Sequence, residues 1–268
     1  MEILGYIASI LIGISLGMVG SGGSILTVPV LVYLMHINPL LATTSSLFIV
    51  GTTSLAGAIR SYFKKQVDFK AVTEFGIPSI FSIFITRNYL LPSVPDTIFS
   101  FGKIVVSKEM FLMVVFAILM LMAAITMIKP SKPLPYLRTD SELNAHDRVG
   151  SLMLLGLVIG LITGFLGAGG GFLIIPSLVL LLKLPMKMAV GTSLFIIAIN
   201  SLFGFLFSLK QYEYNWTILL VFTSFAIAGI FIGGKIAEKI SSKTLKTGFG
   251  WFVLAMGIFI IVKELYFS

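Results

Sequence analysis

The chain has 268 residues, 57% of them hydrophobic and 11% charged, with a mean hydropathy of +1.05 and a formal net charge of +8. Soluble domains carry about a quarter charged residues, so a surface this poor in charge excludes a water-soluble globule. Lys and Arg are spread among short loops rather than gathered on one face, which argues against nucleic acid as a partner and gives the basic excess a topological meaning.

The apolar residues come in long blocks, without the ~10-residue alternation of a membrane β-barrel. Blocks near ~20 residues read as transmembrane helices. The opening Met1-Glu2-Ile3 lacks the basic n-region of a signal peptide, so the first hydrophobic segments are expected to direct insertion. Residues 3–35 form one apolar block, broken by Gly20-Ser21-Gly22-Gly23-Ser24. As one helix it would measure about 50 Å against a ~30 Å hydrocarbon core. Two short helices meeting at a glycine turn are expected instead. Spans follow at about 40–60, 70–91 and 109–128, with a longer loop near 92–107. Residues 129–148, the most polar stretch and holder of three prolines, read as a linker between repeats at 1–128 and 149–268. The second half opens with another long block, 150–182, broken at Gly167-Ala168-Gly169-Gly170-Gly171, and continues with spans at about 187–208, 215–235 and 246–264.

The two halves match when shifted by 147 positions. Gly13, Gly17, Gly20, Gly22, Gly23 and Pro29 fall on Gly160, Gly164, Gly167, Gly169, Gly170 and Pro176. Ser46-Leu47-Phe48 falls on Ser193-Leu194-Phe195, and Ser54, Leu55 and Gly57 fall on Ser201, Leu202 and Gly204. If each broken block crossed the membrane once, the two sides would receive 10 and 9 Lys plus Arg; if each doubles back, they receive 14 and 5. Only the second arrangement obeys the positive-inside rule. The expected fold is therefore an all-α polytopic membrane protein of two inverted repeats, each a glycine-broken helix pair followed by three transmembrane helices. Lys64, Lys132, Lys187 and Lys243 are expected in the cytoplasm, with Lys210 and both termini outside.

Inverted repeats with discontinuous helices are a transporter pattern. Ser24 and Gly171 open the returning half-helices, whose N-termini offer N–H donors and partial positive charge. Consecutive glycines let backbone N–H groups form an anion nest. Candidate substrate-binding residues are Ser21, Gly22, Gly23, Ser24, Gly169, Gly170 and Gly171. Thr44, Ser45, Ser46, Thr192 and Ser193, at the start of the next span in each half, join them, as does Asn200, the counterpart of Thr53. Gly13/Gly17 and Gly160/Gly164 form G-x-x-x-G pairs and read as helix packing; a single added methyl at Gly13 or Gly160 is expected to be absorbed. Glu74 and Arg87 share one span yet lie close enough to its ends to snorkel, and Arg60 reads as an interface anchor. Met113, Met120, Met122 and Met127 on one helix read as adaptable packing. There is no cysteine, and His36 and His146 are far apart and outside the expected spans. No metal, cofactor or catalytic residue, and hence no enzyme, is expected.

The paired Gly-rich, Pro-terminated blocks, each followed by an Ala-x-x-Ser/Thr-Ser-Leu segment, resemble the TauE/SafE family of sulfite exporter-like membrane proteins. The resemblance covers the whole chain. It implies export of a small sulfur-containing anion, sulfite or an organosulfonate, across the bacterial inner (cytoplasmic) membrane, with alternating access between the repeats. The implied partners are that small anion and the lipid bilayer, with room for a homo-oligomer. Ser21 and Ser24, and Thr86-Arg87-Asn88 against Gly233-Gly234, depart from symmetry between the halves. An anion channel, or a permease for a different small organic anion, shares the same anion-selective features.

Overall fold

The computed structural model describes residues 2–20, 23–101, 104–128, 145–167, 169–182, 184–237 and 242–266. Helix α1 (Glu2–Val19) stops at Gly20, whose φ of +78° ends the helix while its N–H still bonds the Leu16 carbonyl. After Gly23 the chain re-enters helix as α2 (Ser24–Pro29) and runs on through a π-turn, Val30–Leu34. It travels back along α1: Gly23 rests on Ile12 and Leu16, and Met35 reaches Gly5. The second half repeats this. Helix α7 (Ala145–Leu166) ends at Gly167, with φ +68° and its N–H bonded to the Thr163 carbonyl. Helix α8 (Gly171–Leu182) then starts back, with Gly170 against Ile159 and Thr163. Both broken blocks therefore double back, as the charge distribution required.

The long helices follow, with capping that explains their starts. Asn38 caps α3 (Pro39–Phe63), its side chain accepting from the Leu40 N–H at 2.9 Å, and Pro39 occupies the first turn, where its missing N–H costs nothing. Asp68 caps α4 (Phe69–Ile85). A π-turn (Thr86–Leu90) and the short α5 (Leu91–Ser93) extend α4. The longer loop of the first half forms an antiparallel hairpin, β1 (Thr97–Phe101) and β2 (Ile104–Ser107), which the sequence did not announce. The buried Lys108 amine ties this region down, donating to the carbonyls of Leu91 at 2.5 Å and Val94 at 3.1 Å. Then come α6 (Lys108–Ile128), α9 (Met186–Ser208), α10 (Trp216–Ile236, capped by Asn215) and α11 (Ser242–Tyr266). Helix α7 already begins at Ala145, inside the stretch expected as linker; residues 129–144 lie outside the described residues.

The duplication holds further than the matching identities do. Ser24 and Gly171, Pro39 and Met186, and Phe69 and Trp216 each start a helix, and each pair is 147 positions apart. The caps Asp68 and Asn215 keep the same spacing. Only after the β1–β2 insertion does the register change.

Packing is reciprocal. Helix α1 lies on α10 and α7 on α4, so each half's first helix packs on the other half. Both pairs run parallel: Gly13 and Gly17 meet Ala226 and Ile230, while Gly156 and Gly160 meet Phe75 and Ser79. The counterparts α3 and α9 cross at the centre in antiparallel sense, Gly51 on Leu202 and Gly204 on Leu47. The counterparts α6 and α11 are also antiparallel, with Gly250 at Met127 and Gly257 at Leu121. Six helices among the described residues are long and apolar enough to cross a membrane. Large apolar side chains such as Leu11, Ile77, Phe81, Leu154 and Trp251 point outward, as a lipid-facing surface requires.

Candidate functional site

The glycine turns sit where the halves meet. Gly20 lies on Val190 of α9, and its counterpart Gly167 lies on Thr43 of α3, itself the counterpart of Val190. Gly169, with φ +69°, faces Val50 of α3 and Ile197 and Ser201 of α9. Gly170 and Gly171 are buried behind it. In the first turn Gly23 is an ordinary right-handed residue with φ −63° backed onto α1, and Ser24 is fully buried. Ser21 and Gly22 lie outside the described residues. The glycine clusters thus bring their helix ends to the α3–α9 seam, and several of these glycines also have a packing reason.

That seam is polar in an apolar setting. Ser46, Thr53 and Ser54 of α3 and Asn200 and Ser201 of α9 are fully buried. The hydroxyls of Ser46, Thr53, Ser54 and Ser201 and the Asn200 side-chain carbonyl have no hydrogen-bond partner among the described residues. The Asn200 amide donates to the Ser79 hydroxyl at 2.7 Å, linking α9 to α4. A buried unpartnered polar group costs about 1–3 kcal/mol, and hydroxyls in membrane helices normally bond back to their own backbone. Thr43 and Ser193 do so, donating to Leu40 and Val190. Thr192 instead accepts from the Asp68 N–H at 2.9 Å, which fixes the α3–α4 turn to α9. Ser45 is buried beside them. Ser54 and Ser201 were visible in the sequence only as a repeat match; their lack of a bonding partner needs the folded chain.

A second group lies toward the α9–α10 loop. Thr44 accepts a 3.0 Å hydrogen bond from Nη1 of Arg87, whose side chain is 0% exposed and the largest of the fully buried ones. Arg87 therefore does not snorkel, contrary to expectation; the π-turn at Thr86–Leu90 turns it into the protein. Taking it out of the loop count leaves the charge asymmetry stronger. The loop covers it: Gln211 donates to the Arg87 carbonyl at 3.3 Å, and Tyr214 donates to the Ser208 carbonyl at 3.0 Å. Burial pushes the Tyr214 phenol up to about 12, with the Arg87 charge opposing, and moves Tyr212 the same way. Both phenols therefore stay protonated donors near neutral pH. Glu74, by contrast, is partly buried and pairs with the exposed Lys70 at 3.8 Å. At Gly234, the counterpart of Arg87, an added methyl would overlap the Arg60 guanidinium, which donates to the Phe231 carbonyl at 3.4 Å. Among the described residues no His, Cys, Asp and Glu cluster could hold a metal.

These features define the class: an all-α polytopic membrane protein with helix breaks and a buried polar seam at the centre of two structural repeats. The family follows from comparison. The model of the family described as Sulfite exporter TauE/SafE matches residues 5–260, and the chain belongs to that family. Its relatives include a probable membrane transporter protein of Xylella fastidiosa, 28% identical over 260 residues, covering 95% of this chain and 92% of the relative. A probable membrane transporter protein of Bacillus subtilis is 27% identical over 258 residues, covering 90% and 92%. One from Methanocaldococcus jannaschii is 26% identical over 275 residues, covering 94% of each. No solved structure matches. The chain is a membrane transporter, not an enzyme.

Proposed function

We propose that this transporter is a secondary carrier that exports a small sulfur-containing anion, sulfite or an organosulfonate, across the bacterial inner membrane by alternating access. The observation that carries the reading is the α3–α9 seam. Unpartnered buried polar groups recur at the paired positions Thr53/Asn200 and Ser54/Ser201, beside the helix break at Gly169. Hydroxyl donors and a helix N-terminus in a dry setting suit an oxyanion. The antiparallel crossing of the counterparts α3 and α9 supports an inverted repeat, the symmetry that lets two gates alternate around one site. The family's description supports the sulfur anion. The sequence carries no G-x-x-x-x-G-K-[ST] nucleotide loop, which favours secondary transport over direct ATP drive. An inside-negative potential favours anion exit by about 2.3 kcal/mol per charge per 100 mV.

Counterflow of labelled sulfite into proteoliposomes, competed by a panel of sulfonates, tests this reading. Competition by sulfonates but not by neutral sugars is expected. Competition by a neutral solute alone would remove the anion reading, and unitary currents without counterflow would make the protein a channel.

A further inference from the structure

We propose that Arg87 is the charged recognition residue of the transport site, binding an anion that presents two oxygens side by side. The inference rests on the transport reading above and adds the group that selects the substrate. It starts from the guanidinium. Nη1 is used by Thr44, while Nε and Nη2 have no partner among the described residues although the side chain is fully buried. Those two atoms form one edge of the guanidinium, the side-on pair of parallel N–H donors that matches a carboxylate, sulfonate or sulfite. No carboxylate of the described residues forms an ion pair with it. A buried cation without a counter-ion is unfavourable, and intramembrane charge marks substrate paths.

The surroundings fit a bound anion. The guanidinium donates to the Thr44 hydroxyl, and the Tyr212 and Tyr214 phenols of the α9–α10 loop lie within its electrostatic reach. The residue sits on a π-turn, a local widening that recurs at functional positions. The other half has Gly234 at the matching position, and the guanidinium beside it comes from Arg60 of α3, not from the counterpart helix. The α9–α10 loop is held to the Arg87 carbonyl by Gln211. Two-point recognition separates oxyanions from halide, which offers no pair of oxygens.

The test uses the full-length purified protein. Melting temperature is followed while titrating sodium sulfite, methanesulfonate, acetate or chloride, and the anions that bind are assayed by counterflow in liposomes. Oxyanions are expected to raise the melting temperature and chloride is not. R87K, which keeps the charge but loses the paired donors, should weaken oxyanion binding at least tenfold, and R87Q should abolish it, with helicity unchanged. Wild-type oxyanion affinity in both variants overturns the proposal. Should they fail to fold, phenylglyoxal modification of the wild-type chain decides. Protection of Arg87 by an oxyanion that raised the melting temperature supports the proposal; labelling unchanged by every such oxyanion overturns it. Acetate binding lost in R87Q, with no binding of sulfite or methanesulfonate, keeps this proposal and removes the sulfur-anion reading. Sulfite counterflow untouched by R87Q does the reverse, and a wild-type protein that binds no oxyanion overturns both.

Discussion

Gly167 presses its Cα against the carbonyl of Thr43, so closely that any side chain would overlap that oxygen. It also holds φ at +68°. The first-half counterpart, Gly20, has a similar φ of +78°, but a Cβ there would meet the side chain of Val190, at 2.6 Å, not backbone. Left-handed φ costs a non-glycine residue roughly 1–2 kcal/mol, and overpacking against rigid backbone adds about 1–3 kcal/mol. Gly167→Ala should therefore lower the melting temperature in detergent more than Gly20→Ala, whose neighbour can rotate away. Equal melting of Gly167→Ala and the wild type would show that the repeat interface is not pinned there.

The sequence reading of Gly13 and Gly160 needs correction. A methyl was expected to be tolerated, but at Gly13 it would overlap the Ala226 carbonyl and at Gly160 the Ser79 carbonyl. Backbone cannot yield as a side chain does, so each alanine variant should lose about 1–3 kcal/mol. Gly76 is the control: a methyl there meets nothing within 4 Å. Gly76→Ala should gain up to about 1 kcal/mol from helix propensity. Thermal melting of the three variants decides; a stable Gly13→Ala would mean that α1 and α10 can part without cost.

Much of the fold was legible because glycine and proline have few structural uses. The breaks at Gly20 and Gly167, and the helix starts after Asn38 and Asp68, follow from local chemistry that repeats along the chain. The β1–β2 hairpin was not legible: Thr97–Phe101 and Ile104–Ser107 pair only with each other, and a short apolar run alone does not reveal its partner. Nor was the burial of Arg87. Its distance from the end of the span allows snorkelling, and its burial on the π-turn is seen only in the folded chain. The candidate list includes Asn200, as a polar residue inside an apolar span, and Thr44, from the polar stretch that opens a span. It omitted Ser54 and Ser201, since a lone serine in a membrane helix usually bonds its own backbone.

Topology gives a prediction independent of any substrate. Lys64 follows the end of α3 and Lys210 the end of α9, and these counterparts run antiparallel. The chain has no cysteine, so Lys64→Cys and Lys210→Cys each introduce one thiol. An impermeant maleimide added to intact cells should label position 210 and leave position 64 until the membrane is opened. Labelling of both from outside would rule out opposite orientations for the two halves.

The seam itself can be separated from packing through Ser54 and Ser201. In most buried sites, removing a hydroxyl breaks a hydrogen bond and destabilises the fold by about 1 kcal/mol. These two hydroxyls have no partner among the described residues, so Ser54→Ala and Ser201→Ala should melt at or slightly above the wild-type temperature. If the hydroxyls serve the substrate, affinity should fall instead, by about tenfold for one lost hydrogen bond of roughly 1.4 kcal/mol. The double variant should be weaker still, because the two residues lie on different helices of the same seam. Gly169→Val is the steric counterpart: its side chain would enter the space facing Val50, Ile197 and Ser201, all about 3.1 Å from a Cβ there, and should abolish transport even where the protein inserts. Melting and substrate affinity are measured on the same reconstituted preparations. Loss of stability without loss of affinity in Ser54→Ala and Ser201→Ala would make the seam a packing element and direct attention to Arg87 and Thr44 alone.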